Sequence, residues 1–167
     1  MGLNIGLRHI SVSTSGVVPK IYSLMETGMP ITLSISLHAP TNEIRDKIMK
    51  VNHAYPIEML LKACKEYTEK TGRRISFEYA LISGINDTDE CAGILAKKLR
   101  GMLCHLNLIP ANPVKENTFS RPTENKVYRF CELMKSKGIN TTVRRTLGAD
   151  IDASCGQLRR KNREERS

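Results

Sequence analysis

Cys155 is the side chain best placed to act as a nucleophile. It stands in Asp150-Ile151-Asp152-Ala153-Ser154-Cys155-Gly156-Gln157-Leu158, an irregular, glycine-flanked run that joins no apolar repeat able to explain a thiol. Arg144 and Arg145 lie a few residues upstream and a basic tail follows. Guanidinium groups nearby favour the thiolate, which is the form that attacks an electrophilic carbon. Cys64, Cys91, Cys104 and Cys131 fall where helical or strand periodicity turns them toward a core, so packing accounts for them. The five cysteines contain no C-x-x-C pair and assemble neither a disulfide framework nor a zinc or iron–sulfur ligand set, so no metal ligand is assigned within the chain.

A second group of reactive side chains is arranged by alternation. His9, Ser11, Ser13 and Ser15 alternate with Ile10 and Val12, and Thr32, Ser34, Ser36 and His38 alternate with Ile31, Leu33, Ile35 and Leu37. Ser76 and Glu78 oppose Phe77 and Tyr79, and His105 and Asn107 do the same further on. With a strand period of two, one sheet face is polar throughout, and a polar ligand against it would satisfy these groups. A wet, serine-rich face of an antiparallel sheet is the alternative.

The elements that carry these residues read as successive strand-helix units. The first strand is expected over His9 to Ser15, followed by a helix from near Pro19 whose Ile21, Leu24 and Met25 share a face and which Gly28 can end. Ile31 to His38 is the second strand. Pro40-Thr41 opens a helix with Ile44, Ile48 and Val51 on one stripe, and Pro56 opens another bearing Ile57, Leu60, Leu61 and Cys64. Ile75 to Leu81 is the third strand, after which Asp87 and Glu90 resemble a capping box for a helix with Cys91, Leu95 and Leu99. Leu103 to Ile109 is the fourth. The helix after Arg121-Pro122-Thr123 carries Val127, Phe130, Cys131 and Met134, and Asn140 to Arg145 is a last short strand. This order predicts an α/β fold with a parallel sheet, whose ligand sits at the carboxyl ends of the strands. There Gly16 would let backbone approach a ligand closely, Ser13, Ser36 and Asn112 could fix hydroxyls or an amino-acid head group, and His38 is either a ligand contact or a strand-end histidine bonded within the protein.

At 167 residues with 40% hydrophobic and 26% charged side chains, the chain has enough material for one ordinary core and no disordered bias. No run approaches a membrane span and no signal peptide is visible, so no membrane partner and a cytoplasmic location are expected. The formal net charge is +9, and residues 151–167 hold five Lys/Arg against three Asp/Glu, so most of the excess belongs to the body. That is the electrostatic footprint of a phosphate-backbone partner. The absence of Trp and the scarcity of other aromatics argue against an exposed stacking platform. No internal linker is visible; residues 1–158 form the folded part and 159–167 a solvated basic tail.

Four runs occur in one order: Ser13-Thr14-Ser15-Gly16-Val17-Val18-Pro19, Ser36-Leu37-His38-Ala39-Pro40-Thr41-Asn42-Glu43-Ile44-Arg45, Asn107-Leu108-Ile109-Pro110-Ala111-Asn112-Pro113, and the Cys155 run above. Together they closely resemble the radical S-adenosylmethionine methyltransferases that methylate adenine C2 in 23S ribosomal RNA and in tRNA. The resemblance runs from about Gly2 to Leu158 and implies a partial (β/α)6 barrel, here only its C-terminal βα units. It also implies that Ser13, Ser36, Leu37, His38 and Asn112 bind S-adenosylmethionine and that Cys155 carries the methyl group. In that chemistry one cofactor molecule methylates the thiolate, and a second is cleaved reductively at a 4Fe-4S cluster to give a radical that activates the methylated sulfur. Adenine C2 has no lone pair to attack a sulfonium methyl, which is why a radical cofactor and a covalent carrier are needed. An electron donor is implied as a further partner.

The C-x-x-x-C-x-x-C cluster loop, a second essential cysteine and the Gly-Glu motif of such enzymes are absent, and they are expected upstream of Met1. The chain alone is therefore expected to be inactive. Two alternatives are an adenine-C8 methyltransferase of the same chemistry and a noncatalytic RNA-binding module. A cysteine hydrolase lacks a base, since His38 and His105 are read as strand residues with no orienting acid.

Overall fold

The stretches marked by alternation become strands of one sheet in the computed structural model, which describes residues 6–111 and 119–144. In chain order they are β1 (Ser11–Thr14), α1 (Val18–Glu26), β2 (Thr32–Ser36), α2 (Asn42–Ile48), α3 (Ile57–Thr71), β3 (Ile75–Leu81), α4 (Asp89–Leu99), β4 (Cys104–Pro110), α5 (Glu124–Ser136) and β5 (Thr141–Val143). Short 3-10 turns cover Leu7–His9 and Lys50–His53.

Helix starts are written in single side chains. Thr41, Thr88 and Thr123 each accept a hydrogen bond from the backbone N–H three residues on, capping α2, α4 and α5. The cap expected from Asp87 and Glu90 is thus supplied by Thr88. Asp87 instead is buried, accepting from Gly84 N at 2.9 Å and pairing with Lys126 Nζ at 3.1 Å, which ties the loop before α4 to α5.

The strands lie in sequential order β1-β2-β3-β4-β5, and every adjacent pair is parallel, which removes the antiparallel alternative. Parallel neighbours need crossovers, and crossovers of one hand that always step in the same direction put their helices on one side of the sheet. Burial follows that rule. On β3, Ile75, Phe77, Tyr79 and Leu81 are buried under the helices while Ser76, Glu78 and Ala80 are half-exposed on the opposite face. Tyr79 stacks on Phe130 of α5, ring centroids 5.5 Å apart. Cys64, Cys91 and Cys131 are buried in the same core, in line with a packing role, and Cys104 is half-buried.

Three differences from the sequence expectation bear on the site, beside shifts of a residue or so at the ends of β1, β4 and β5. His9 belongs to the 3-10 turn before β1, so it is not part of the strand's polar face. Strand β2 ends at Ser36, because the amides of Leu37 and His38 both turn to Glu78 O, at 3.0 and 3.3 Å, and His38 adopts a left-handed backbone with φ 58°. Helix α2 stops at Ile48, which leaves Val51 in a 3-10 turn; the buried residue of α2 is Arg45, while Ile44, Ile48 and Val51 are only half-buried.

Candidate functional site

The polar face has a centre at Glu78. Register places Ser13 beside Ser34, Ser34 beside Ser76, Ser36 beside Glu78 and Glu78 beside Asn107. Glu78 Oε1 accepts from the hydroxyls of Ser34 at 3.1 Å and Ser76 at 3.3 Å, and Oε2 accepts from Asn107 Nδ2 at 2.7 Å. A carboxylate that gathers donors from three strands is preorganised, since its neighbours are already oriented before a ligand arrives. Further along, His105 bonds Asn140 Oδ1 and Thr142 Oγ1 at 3.2 and 2.9 Å, linking β4 to β5.

At the carboxyl ends of β1 and β2 this face meets a tightly specified turn. Ala80 N donates to His38 Nδ1 at 3.0 Å, which leaves the ring hydrogen on Nε2. Burial, helped by the positive charge of Arg45 and opposed by Glu78, holds the imidazole pKa down at about 4, so the ring is neutral at pH 7. Asn86 pins the backbone behind it: its Nδ2 donates to His38 O at 2.8 Å and to Ala80 O at 2.7 Å, and its Oδ1 accepts from Ile82 N at 2.7 Å. On the other flank Arg45 Nε donates to Leu37 O at 3.1 Å and Nη2 donates to Ser36 O at 3.2 Å. The carbonyls of Ser36, Leu37 and His38 and the amides of Leu37 and His38 are therefore occupied by protein. What the turn can offer a ligand is the Ser36 hydroxyl and the His38 Nε2–H.

Of the residues singled out by sequence, Ser13, Ser36, Leu37 and His38 lie on β1, on β2 and in the turn after β2, at one end of the sheet. Ser13 is exposed and Ser36 half-exposed, but the Leu37 side chain is buried in the core, so Leu37 shapes the turn through its backbone. Asn112 and Cys155 lie outside the described residues. Gly16 has φ 104°, and a Cβ there would meet Leu60 Cδ2 at 3.0 Å and Arg45 Nη2 at 3.1 Å; the close approach it permits is to the protein's own side chains. Local pattern gave no sign of Arg45 or Asn86, whose partners include the carbonyls of Ser15 and His38 on other segments of the chain. Glu78 was visible as a polar-face residue but not as its centre.

A second opening of about 310 Å³ lies at the same end of the sheet, between the tip of β4, the start of α5 and the end of β5. Arg121, Tyr128, Val143 and Arg144 are among its lining residues. Tyr128 is 69% exposed, so an aromatic does stand open to solvent where composition had argued against a stacking platform. Among the described residues no group of three or more His, Cys, Asp or Glu could hold a metal ion, and no helix is long and apolar enough to cross a membrane.

No protein-family model matches the chain. It is 56% identical over 98% of its length to the "Probable dual-specificity RNA methyltransferase RlmN" of Caldanaerobacter subterraneus subsp. tengcongensis, of which it covers 48%. It is 54% identical to the protein so named in Geobacillus thermodenitrificans, covering 45% of that sequence. Among solved structures, a radical SAM methyltransferase from Sphaerobacter thermophilus superposes with a TM-score of 0.90 at 47% identity, over 93% of this chain and 46% of that one. The chain resembles the radical S-adenosylmethionine RNA methyltransferases. It spans about half the length of the relatives it matches. The parallel sheet is accordingly a partial version of a larger fold. A domain of a pyruvate-formate lyase-activating enzyme from Bacteroides vulgatus shares the fold alone, with a TM-score of 0.63 at 18% identity.

Proposed function

We propose that this chain is the part of a radical S-adenosylmethionine RNA methyltransferase that holds the nucleoside of S-adenosylmethionine at the carboxyl ends of its strands and delivers a methyl group to adenine C2 of 23S rRNA and tRNA. The observation that carries it is the polar sheet face, on which the hydroxyls, carboxylate and amide of Ser34, Ser76, Glu78 and Asn107 converge, with Ser76, Glu78 and Asn107 half-exposed among the described residues. A parallel sheet is ordinarily buried on both faces, so a preorganised polar face asks for a polar occupant.

S-adenosylmethionine fits the residues present. Ser13 and Ser36 offer hydroxyls, and His38 offers a neutral Nε2–H donor, which suit a ribose diol and an amino-acid end. When bound, the sulfonium supplies an electrophilic methyl group. Cys155 is assigned as acceptor and carrier of that methyl, and Asn112 as a further contact. Exposed Tyr128, with Arg144 beside it, gives RNA a ring to stack on and a cation for a phosphate at the same end of the sheet.

The 4Fe-4S cluster does not fit the described residues. Cys64, Cys91 and Cys131 are buried on three different helices, burial pushes the Cys64 thiol up to about 12, and Cys104 is half-buried on β4. No step is derived through the cluster, and the chain by itself is proposed to be inactive. An electron donor and a cytoplasmic setting belong to the same proposal.

The deciding experiment reconstitutes the complete protein anaerobically with iron and sulfide and supplies S-adenosylmethionine, a reductant and either RNA. Mass spectrometry should locate the new methyl at adenine C2, and Cys155→Ala should abolish it. A methyl at C8 would move the assignment to the related chemistry, and RNA binding without methylation would favour the noncatalytic module.

A further inference from the structure

Arg45 is wholly buried, yet among the described residues no carboxylate accepts from it. Its guanidinium donates to the carbonyls of Ser15 (2.8 Å), Ser36 (3.2 Å), Leu37 (3.1 Å) and Tyr55 (3.3 Å) and to Asn52 Oδ1 (3.1 Å). Burying a charge against dipoles alone is costly, and an apolar side chain of similar volume would pack a helix against a sheet without that cost. Its partners show what the cost secures. Ser15 follows β1, Ser36 ends β2 with Leu37 just after it, and Tyr55 precedes α3, so one planar group sets the spacing of three chain segments at the end of the sheet. Gly16 completes the arrangement, because a Cβ there would stand 3.1 Å from Arg45 Nη2 and press on it.

We propose that Arg45 is a positioning residue for the bound nucleoside: its guanidinium locks the carbonyls of Ser15, Ser36 and Leu37 in one frame and thereby brings the His38 Nε2–H and the hydroxyls of Ser13 and Ser36 to a single ligand. This rests on S-adenosylmethionine occupying that end of the sheet. The planar fork is what the role requires. A lysine ammonium carries the charge but cannot present donors in fixed directions to several carbonyls at once. The His38 ring answers to the same frame, since the Leu37 carbonyl is held by Arg45, the His38 carbonyl by Asn86 and Nδ1 by Ala80 N. The charged groups acting on the ring are Arg45 from α2 and Glu78 from β3.

The test is Arg45→Lys in the full chain, read in two ways. The nitrogen spectrum of His38 needs no ligand: the wild-type ring should be one Nε2–H tautomer, and the variant should show a tautomer mixture. Equilibrium dialysis with S-adenosylmethionine should show about a tenfold loss of affinity, and the loss on adding Arg45→Lys to His38→Phe should be smaller than the loss on adding it to the wild type, because only the part acting through Ser13 and Ser36 remains. A folded Arg45→Lys with wild-type His38 nitrogen shifts and unchanged affinity overturns the proposal. Should the variant not fold, the wild-type chain decides: slowly exchanging Arg45 Nη protons with a single His38 tautomer support the frame, and freely exchanging protons or mixed tautomers refute it. A complete, reconstituted wild-type protein that takes up no S-adenosylmethionine refutes the functional assignment, while the nitrogen spectra still report on the positioning.

Discussion

Glu78 and Asn107, on neighbouring strands, meet at 2.7 Å across the polar face, with Asn107 Nδ2 as donor. Glu78→Ala leaves that amide and the hydroxyls of Ser34 and Ser76 without their acceptor, and loss of bonds to a charged group should cost about 1–3 kcal/mol of stability. Glu78→Gln should cost less, because serine hydroxyls can rotate to accept from the new amide. Urea unfolding of the three proteins side by side gives the ranking, and equal midpoints would contradict the hub.

His38 makes stability depend on pH. Its folded pKa lies at about 4, below the ordinary value of 6.5, so between those limits the unfolded chain binds a proton that the folded chain refuses. This contribution is fully present above pH 6.5 and is lost as pH falls toward 4, by on the order of 3 kcal/mol across the window. In His38→Gln, whose side-chain oxygen can still accept from Ala80 N, the unfolding free energy should lose that slope. A variant with the same slope as wild type would assign it to other groups.

The cysteines should separate by reactivity. Burial pushes Cys64 up to about 12 and Cys104 up to about 11, and it raises Cys131 as well, so few thiolates form there at neutral pH. Brief alkylation of the native protein, followed by peptide mass spectrometry, should label Cys155 first and leave Cys64, Cys91 and Cys131 unmodified until denaturant is added. Early labelling of Cys64 would contradict the packing.

Tyr128 should matter to RNA and not to the fold. Its ring is exposed beside Arg144, and removing a stacking partner of this kind weakens single-strand binding by about tenfold or more. Tyr128→Ala should therefore lower RNA affinity in a filter-binding or anisotropy titration while the thermal midpoint stays put. Unchanged affinity would move the RNA surface elsewhere.

Much of the architecture could be read from alternation, because a period of two reports directly on which sheet face is covered, and burial follows it along β3 and most of β4. Ser13, Ser34, Ser76 and Asn107 were visible as one polar face for that reason. Arg45 was not, since its place beside Ile44 in an amphipathic pattern marks it as solvent-facing, and the acceptors that make its burial tolerable, among them the carbonyls of Ser15 and Tyr55, lie on other segments of the chain. His38 misled for a related cause: the strand pattern runs on through it, while the amides that end the strand are claimed by Glu78 O. Thr88 and Asp87 are adjacent residues of similar capping strength, and the buried pairing of Asp87 with Lys126 chose between them.

Strand β1 pairs with β2 alone among the described residues, and Ile10 and Val12 stand 36% and 40% exposed beside that border. An extended segment that docked there in the sense of its neighbours would have to arrive through a connection passing over the helical layer, whereas a segment entering by a tight hairpin would run the opposite way. The geometry of the seam thus sorts incoming polypeptide by route before any side chain is compared.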